Sequence, residues 1–204
     1  MSEPHAVPAL VLASASQSRL TVLRNAGLDP VQDPSSVDED KVKQSLKTDG
    51  ADAAQVAVTL AELKAQQTAR RYPGALVIGA DQMLDCDGVW FDKPPDVAHA
   101  RGHLQSLRGR THELVTAAAV IRDGDRIWQH VDRARLTMRD FSDGFIDDYL
   151  DRVGEDACRS VGAYQLEGLG AQLFSRIDGD FFTILGLPLL PLLDYLRGHG
   201  IVAE

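Results

Sequence analysis

The stretch LVLASASQSRLTVLRNAG, residues 10–27, opens on four apolar residues and closes on an amphipathic run stopped by Gly27. Its first part reads as the end of a buried strand over residues 7–13, its second as a helix over residues 18–26. Between them stand Ser14, Ser16, Ser18 and Arg19, where strand becomes helix. Such a junction presents unpaired backbone N–H groups and the positive end of a helix dipole, which together make an anion site. Hydroxyls and one guanidinium there would complete a phosphate cradle. The plainer alternative is a capping serine followed by a solvated arginine.

Outward from this junction the chain alternates elements. A helix over residues 53–71 carries Val56, Leu60 and Leu63 and is broken by Pro73-Gly74. ALVIGADQML reads as a strand that turns at DCDG and returns as VWF. KPPD leads into a helix through Val97, Leu104 and Leu107. The strands HELVTAAAVI and RIWQHVDRARLTM are joined by RDGD, whose residues suit a hairpin turn. Ser142 caps a helix bearing Phe145, Ile146, Tyr149 and Leu150. The glycine-rich VGAYQLEGLG, a hairpin about DGD and a terminal helix begun by GLP complete the order. Antiparallel hairpins among helices give an α/β fold with a mixed, twisted sheet flanked by helices, rather than a doubly wound one.

Composition limits the function classes. The 204 residues, 44% apolar, suffice for one domain over 1–204, with two lobes allowed. Net charge is −9 and no basic run occurs, which argues against nucleic-acid or anionic-membrane partners. Any anionic ligand is then held by a few placed cations. Cys86 and Cys158 lack zinc-site spacing and read as free thiols of a reducing compartment. With no charged-then-apolar leader and no apolar run near twenty residues, the expected location is the cytoplasm.

Several polar residues sit where a plain core would avoid them. Lys64 falls on the helical stripe Ala57, Leu60, Ala61, Lys64, Thr68, so its ammonium points to the apolar side and needs an anionic partner. Asp81 interrupts a run of apolar strand formers, where a charge is costly unless paired or metal-bound; a strand-end position is the bland reading. Lys93 is fixed by the two prolines after it, or is a snorkelling surface lysine. Asp38, Glu39 and Asp40 precede a short helix as solvated or capping acids, with one a candidate metal ligand. Glu167 lies in a loop whose glycines permit close backbone approach to a ligand, or simply make a tight turn. His99 and His103 share helical spacing without the glutamate of a zinc-protease motif and read as solvated.

In this order, LASASxxRxxxL, VDE, LAxxKA, VIGADQ, DKPPDVAHARGHLQSLRGRTHELVTAAAV and VGAYQLEGLGAQLFSRIDGDFFTILGLPL resemble the Maf family of septum-formation-inhibitor-like nucleotide pyrophosphatases. The resemblance runs from about residue 10 to 196 and implies a Maf/ITPase-like, two-lobed domain with a cleft. It implies phosphate binding by Ser14, Ser16, Arg19, Lys64 and Lys93. It further implies that Glu39 and Asp81 hold a divalent metal cation, Mg or Mn, with Asp81 also activating water. Gln17 departs from the family's usual proline, and Ser18 stands where many members carry arginine or an aromatic residue.

The reaction so implied is water attack on the α-phosphorus of a nucleoside triphosphate substrate, releasing pyrophosphate. The pairing of Gln82 with Glu167 matches members resembling 7-methyl-GTP pyrophosphatases, whereas those resembling dTTP/UTP enzymes have threonine and glutamine at the two places. Ser18, Gln82 and Glu167 are thus the expected specificity residues. A dTTP/UTP enzyme and a nucleotide-binding regulator of septum formation without turnover are the alternatives, and a homodimer is compatible with either.

Overall fold

The computed structural model describes residues 8–203. The first strand, β1 (Leu10–Leu12), leads into α1 (Gln17–Asn25), then β2 (Val31–Gln32), α2 (Glu39–Thr48) and α3 (Ala53–Ala69). Next come β3 (Leu76–Cys86), β4 (Val89–Phe91), α4 (Val97–Leu107), β5 (Thr111–Arg122) and β6 (Asp125–Met138). After α5 (Asp143–Val153) the glycine-rich stretch winds into short 3-10 turns, followed by β7 (Phe174–Asp178), α6 (Phe181–Ile184) and α7 (Leu189–Arg197). The sheet runs β2-β1-β3-β5-β6-β7, with β4 on β3. Pairing is parallel for β1 with β2 and β3 and antiparallel for β3 with β4 and β6 with β7, so the sheet is mixed as expected.

Local chemistry accounts for the element ends. Asp52 and Gln55 form a reciprocal capping box at the start of α3, and Asp96 and Ser142 cap α4 and α5. The β3–β4 and β5–β6 connections are two-residue turns. Both central residues of each, Asp87-Gly88 and Asp123-Gly124, have positive φ, which suits the right-handed twist of a hairpin.

The described residues divide into two compact units, one made of the stretches up to Asp81, 116–132 and from Gly186 on, the other of residues 82–115 and 133–185. In the first, Val11, Ala13, Ala65, Ala69, Val77 and Ile121 pack α3 onto the sheet. The approach is close at Gly79, where a Cβ would lie 2.0 Å from the Ala61 carbonyl oxygen. In the second unit, Leu84, Leu104, Leu136, Ile146 and Tyr149 are among the core. Buried with them, the His112 ring nitrogen Nε2 meets the Tyr164 hydroxyl at 2.7 Å.

Three expectations are corrected. DGD is not a hairpin: Asp178 ends β7, and the Asp180 carboxylate accepts from the Thr183 N–H to start α6. His103 is half-buried rather than solvated, with its ring edge against Phe91 and its Nδ1 buried without a partner among the described residues. The first strand covers fewer residues than 7–13, and Val7 lies outside the described part. Among the described residues no helix is long and apolar enough to cross a membrane.

Candidate active site

The β1–α1 junction is built by short-range polar contacts. Ser16 is the N-cap of α1, its hydroxyl accepting from the Arg19 N–H. Ser14 Oγ, buried, accepts from the Ser16 N–H at 3.3 Å and from Arg19 Nη1 at 3.1 Å. Ser18 lies half-buried in the first turn.

Arg19 points inward rather than to solvent. Its Nε donates to the Gly186 carbonyl at 2.7 Å and its Nη1 to the Ala80 carbonyl at 2.9 Å. One guanidinium thus joins the α1 junction, β3 and the segment before α7. Gly186, at φ 94, is required by this contact, because a Cβ there would lie 3.2 Å from Arg19 Nε. Burial pulls the Arg19 pKa down, against the opposing pull of Asp81 and Glu39.

Beside Ala80 stands Asp81, inside β3 rather than at its end and 4% exposed. The close packing of α3 at Gly79 brings Lys64, one turn on from Ala61, against it. Lys64 Nζ lies 2.7 Å from Asp81 Oδ1 and 2.8 Å from Glu39 Oε1. The anionic partner that the apolar stripe requires is therefore a pair of carboxylates. Glu39 reaches Lys64 from the first turn of α2, whose N-cap is Asp38. Burial pushes the Asp81 carboxyl above the usual carboxylate range, and Lys64 and Arg19 oppose that shift.

Asp81 Oδ2 is buried and has no hydrogen-bond partner among the described residues. An orphaned carboxylate oxygen is costly, so it is a place for a cation, a proton or a water. Glu39 and Asp81 offer only oxygen donors, which fits a hard divalent cation. Among the described residues no group of three acids, histidines or cysteines is assembled as a cation cage. Two carboxylates would leave coordination positions for phosphate oxygens.

Ser14, Ser16, Arg19, Glu39, Lys64 and Asp81 thus fall in one unit: hydrogen bonds join the first three, ion pairs join the last three, and Arg19 on the Ala80 carbonyl ties the first group to the strand residue next to Asp81. Gln82, Lys93 and Glu167 belong to the other unit. Gln82 Nε2 donates to the carbonyls of Thr183 and Ile184 at 3.0 and 3.2 Å, which fixes its amide. Lys93 and Glu167 are exposed, on the segment before α4 and on the turn after Leu166. Sequence reasoning passed over the Ala80 and Gly186 carbonyls, since backbone acceptors leave no mark in residue type. The glycine of GLP was the one trace of the second.

A strand-to-helix junction beside a buried lysine and aspartate paired with each other and with the half-exposed Glu39 defines an α/β protein whose polar site is arranged for an anionic ligand. The chain belongs to the Maf family: the model described as Maf-like protein matches residues 9–199. It is 56% identical over 190 residues, 93% of this chain and 98% of the other, to a nucleoside triphosphate pyrophosphatase of Paramagnetospirillum magneticum. A protein of the same name from Rhodospirillum rubrum is 52% identical over 196 residues, covering 96% of this chain and 97% of that one. A 7-methyl-GTP pyrophosphatase of Rhizobium meliloti is 50% identical over 195 residues, 96% of this chain and 98% of its own.

Proposed function

We propose that this chain hydrolyses 7-methyl-GTP to the monophosphate and pyrophosphate, removing a modified nucleotide from the pool. The coarser activity is that of its curated relatives: the chain is a nucleoside triphosphate pyrophosphatase, a hydrolase of phosphoric anhydride bonds. The observation that carries the mechanism is the buried Asp81 Oδ2, without a hydrogen-bond partner among the described residues, beside the ion pair of Lys64 with Asp81 Oδ1.

Water attack on the α-phosphorus gathers charge on phosphate oxygens, so placed cations matter more than a covalent nucleophile. Ser14, Ser16, Arg19 and Lys64 hold phosphate oxygens in this reading, with Lys93 a further cation. Lys64 has three ammonium donors, of which Glu39 and Asp81 take two. Lys64 also pins Asp81 Oδ1, leaving Oδ2 to orient the water and accept its proton, a role worth about 10²–10⁴-fold in rate. A raised Asp81 pKa makes that carboxylate the stronger base. Glu39 and Asp81 are the residues to hold a magnesium or manganese ion, which when bound neutralises phosphate charge.

The base preference rests on Gln82 and Glu167, since Ser18 supplies no ring to stack on a base. A guanine edge offers two donors, the ring N–H and the exocyclic amine, which one carboxylate accepts together. Methylation at N7 adds positive charge, which Glu167 favours further. Relatives named for 7-methyl-GTP, at 49–50% identity, support the same reading. The test is pyrophosphate release from 7-methyl-GTP, GTP, UTP and dTTP with magnesium or manganese. The highest kcat/KM is expected for 7-methyl-GTP, and a preference for UTP or dTTP would reject the assignment.

A further inference from the structure

A purine that carries positive charge calls for an aromatic face, and Ser18 brings none to the β1–α1 junction. The chain has six Phe, four Tyr and two Trp, and the described residues include them all. Phe181 alone of these is exposed, at 47%; the others are buried or half-buried. A single exposed apolar side chain is ordinary, but this one stands on a turn that is held from several sides.

Phe181 opens α6, a single helical turn. At the start of that turn the Asp180 carboxylate accepts from the Thr183 N–H at 3.0 Å, and at its end the Leu185 N–H donates to the Phe181 carbonyl at 3.1 Å. Just before it, Gly179 lies so close on β6 that a Cβ would come within 2.5 Å of the Ala134 Cβ. From β3, the Gln82 amide donates to the carbonyls of Thr183 and Ile184. The backbone under Phe181 is therefore fixed while its ring is offered to solvent, set edge to face with Phe182 at 5.9 Å. A ring with two side-chain torsions on a fixed backbone loses little freedom when a ligand covers it. Chain connectivity adds its position: Gln82 directly follows Asp81 in β3, and only Leu185 separates α6 from Gly186, whose carbonyl holds Arg19.

We infer that Phe181 is the platform on which the base of the nucleotide substrate stacks, an inference that rests on the proposed reading of the base by Gln82 and Glu167. Stacking grips a flat ring by its face and leaves its edge to other groups, so Phe181 adds affinity for any base. For a base made cationic by methylation at N7 the electron-rich face of the ring adds attraction, so the same residue favours 7-methyl-GTP over GTP.

The test compares the full chain with Phe181→Ala, Phe181→Leu and Phe181→Tyr. Pyrophosphate release gives kcat and KM on 7-methyl-GTP, GTP, UTP and dTTP with magnesium, inorganic tripolyphosphate serves as a competitor without a base, and thermal melting checks folding. On the nucleotide that wild type prefers, Phe181→Ala is expected to raise KM about 5- to 100-fold, with kcat little changed. The Ki of tripolyphosphate should stay at its wild-type value, because nothing in it stacks. Phe181→Tyr should keep the wild-type KM. Phe181→Leu, apolar but without a π face, should raise KM and lower the preference for 7-methyl-GTP over GTP, and it carries the test if Phe181→Ala melts early. A KM unmoved in both the alanine and leucine variants, a tripolyphosphate Ki that rises in step with KM, or a leucine variant equal to the tyrosine one would overturn the inference. A wild type that prefers UTP or dTTP rejects the 7-methyl-GTP assignment instead, and the KM comparison on that pyrimidine still decides the role of Phe181, since every base has a π face.

Discussion

Gly79 and Ala61 are in backbone-to-backbone contact: a Cβ on residue 79 would occupy a point 2.0 Å from the Ala61 carbonyl oxygen and 2.9 Å from the Ala65 Cβ. Lys64 lies between those two helix residues in sequence. The seating of α3 on β3 therefore also sets the reach of Lys64 to Asp81.

Gly79→Ala is expected to lower stability by about 1–3 kcal/mol through overpacking. It should also lower kcat more than it raises KM, since α3 must move away from β3. Thermal melting and steady-state pyrophosphate release check both parts. An unchanged kcat would show that Lys64 keeps its place without the close approach.

Asp81→Asn keeps the shape of the side chain and removes its charge. Turnover is expected to fall by about 10² or more, the loss of a general base, while a fluorescent nucleotide analogue still binds. Retention of more than about a tenth of wild-type turnover would exclude Asp81 as the base.

The pairing of the Arg19 and Asp81 segments was partly legible in the sequence. An acid inside an apolar strand and a lysine on an apolar helix stripe both mark a buried charge in need of a partner, and each carries that sign in its own neighbourhood. Ser142 announced its helix in the same local way. What binds Arg19 did not: the Gly186 carbonyl lies 167 residues further on, and any residue type carries a carbonyl. DGD was misjudged for a related reason. Asp-Gly suits a hairpin, but Asp180 also suits a helix N-cap, and only the partner strand decides between them.

His112 gives a pH dependence of stability. Burial lowers its pKa to about 4 from 6.5. Between those values the unfolded chain binds a proton that the folded chain refuses, so the stability due to the neutral ring is full above the unfolded pKa and drains away as pH falls toward the folded one. Denaturant unfolding should show about 2 kcal/mol more loss between about pH 7 and pH 5 for wild type than for His112→Gln. Equal losses would mean that His112 titrates normally.

Gln82→Thr combined with Glu167→Gln is expected to shift kcat/KM from 7-methyl-GTP toward UTP and dTTP. Thr183 and Ile184 also lose the amide that holds their carbonyls, so Gln82→Asn with Glu167→Gln separates base reading from loss of that support. A preference that moves in neither variant would remove both residues from base recognition.

Around Lys64 the ionised side chains cancel: Arg19 and Lys64 contribute two positive charges, and Glu39 and Asp81 two negative ones. A triphosphate arriving alone would leave this group with a large uncompensated negative charge; one arriving with a divalent counter-ion would not. In the proposed site nucleotide and cation would be linked ligands, each strengthening the other's binding by the same factor. Titrating either in the presence of the other measures that single factor from both directions.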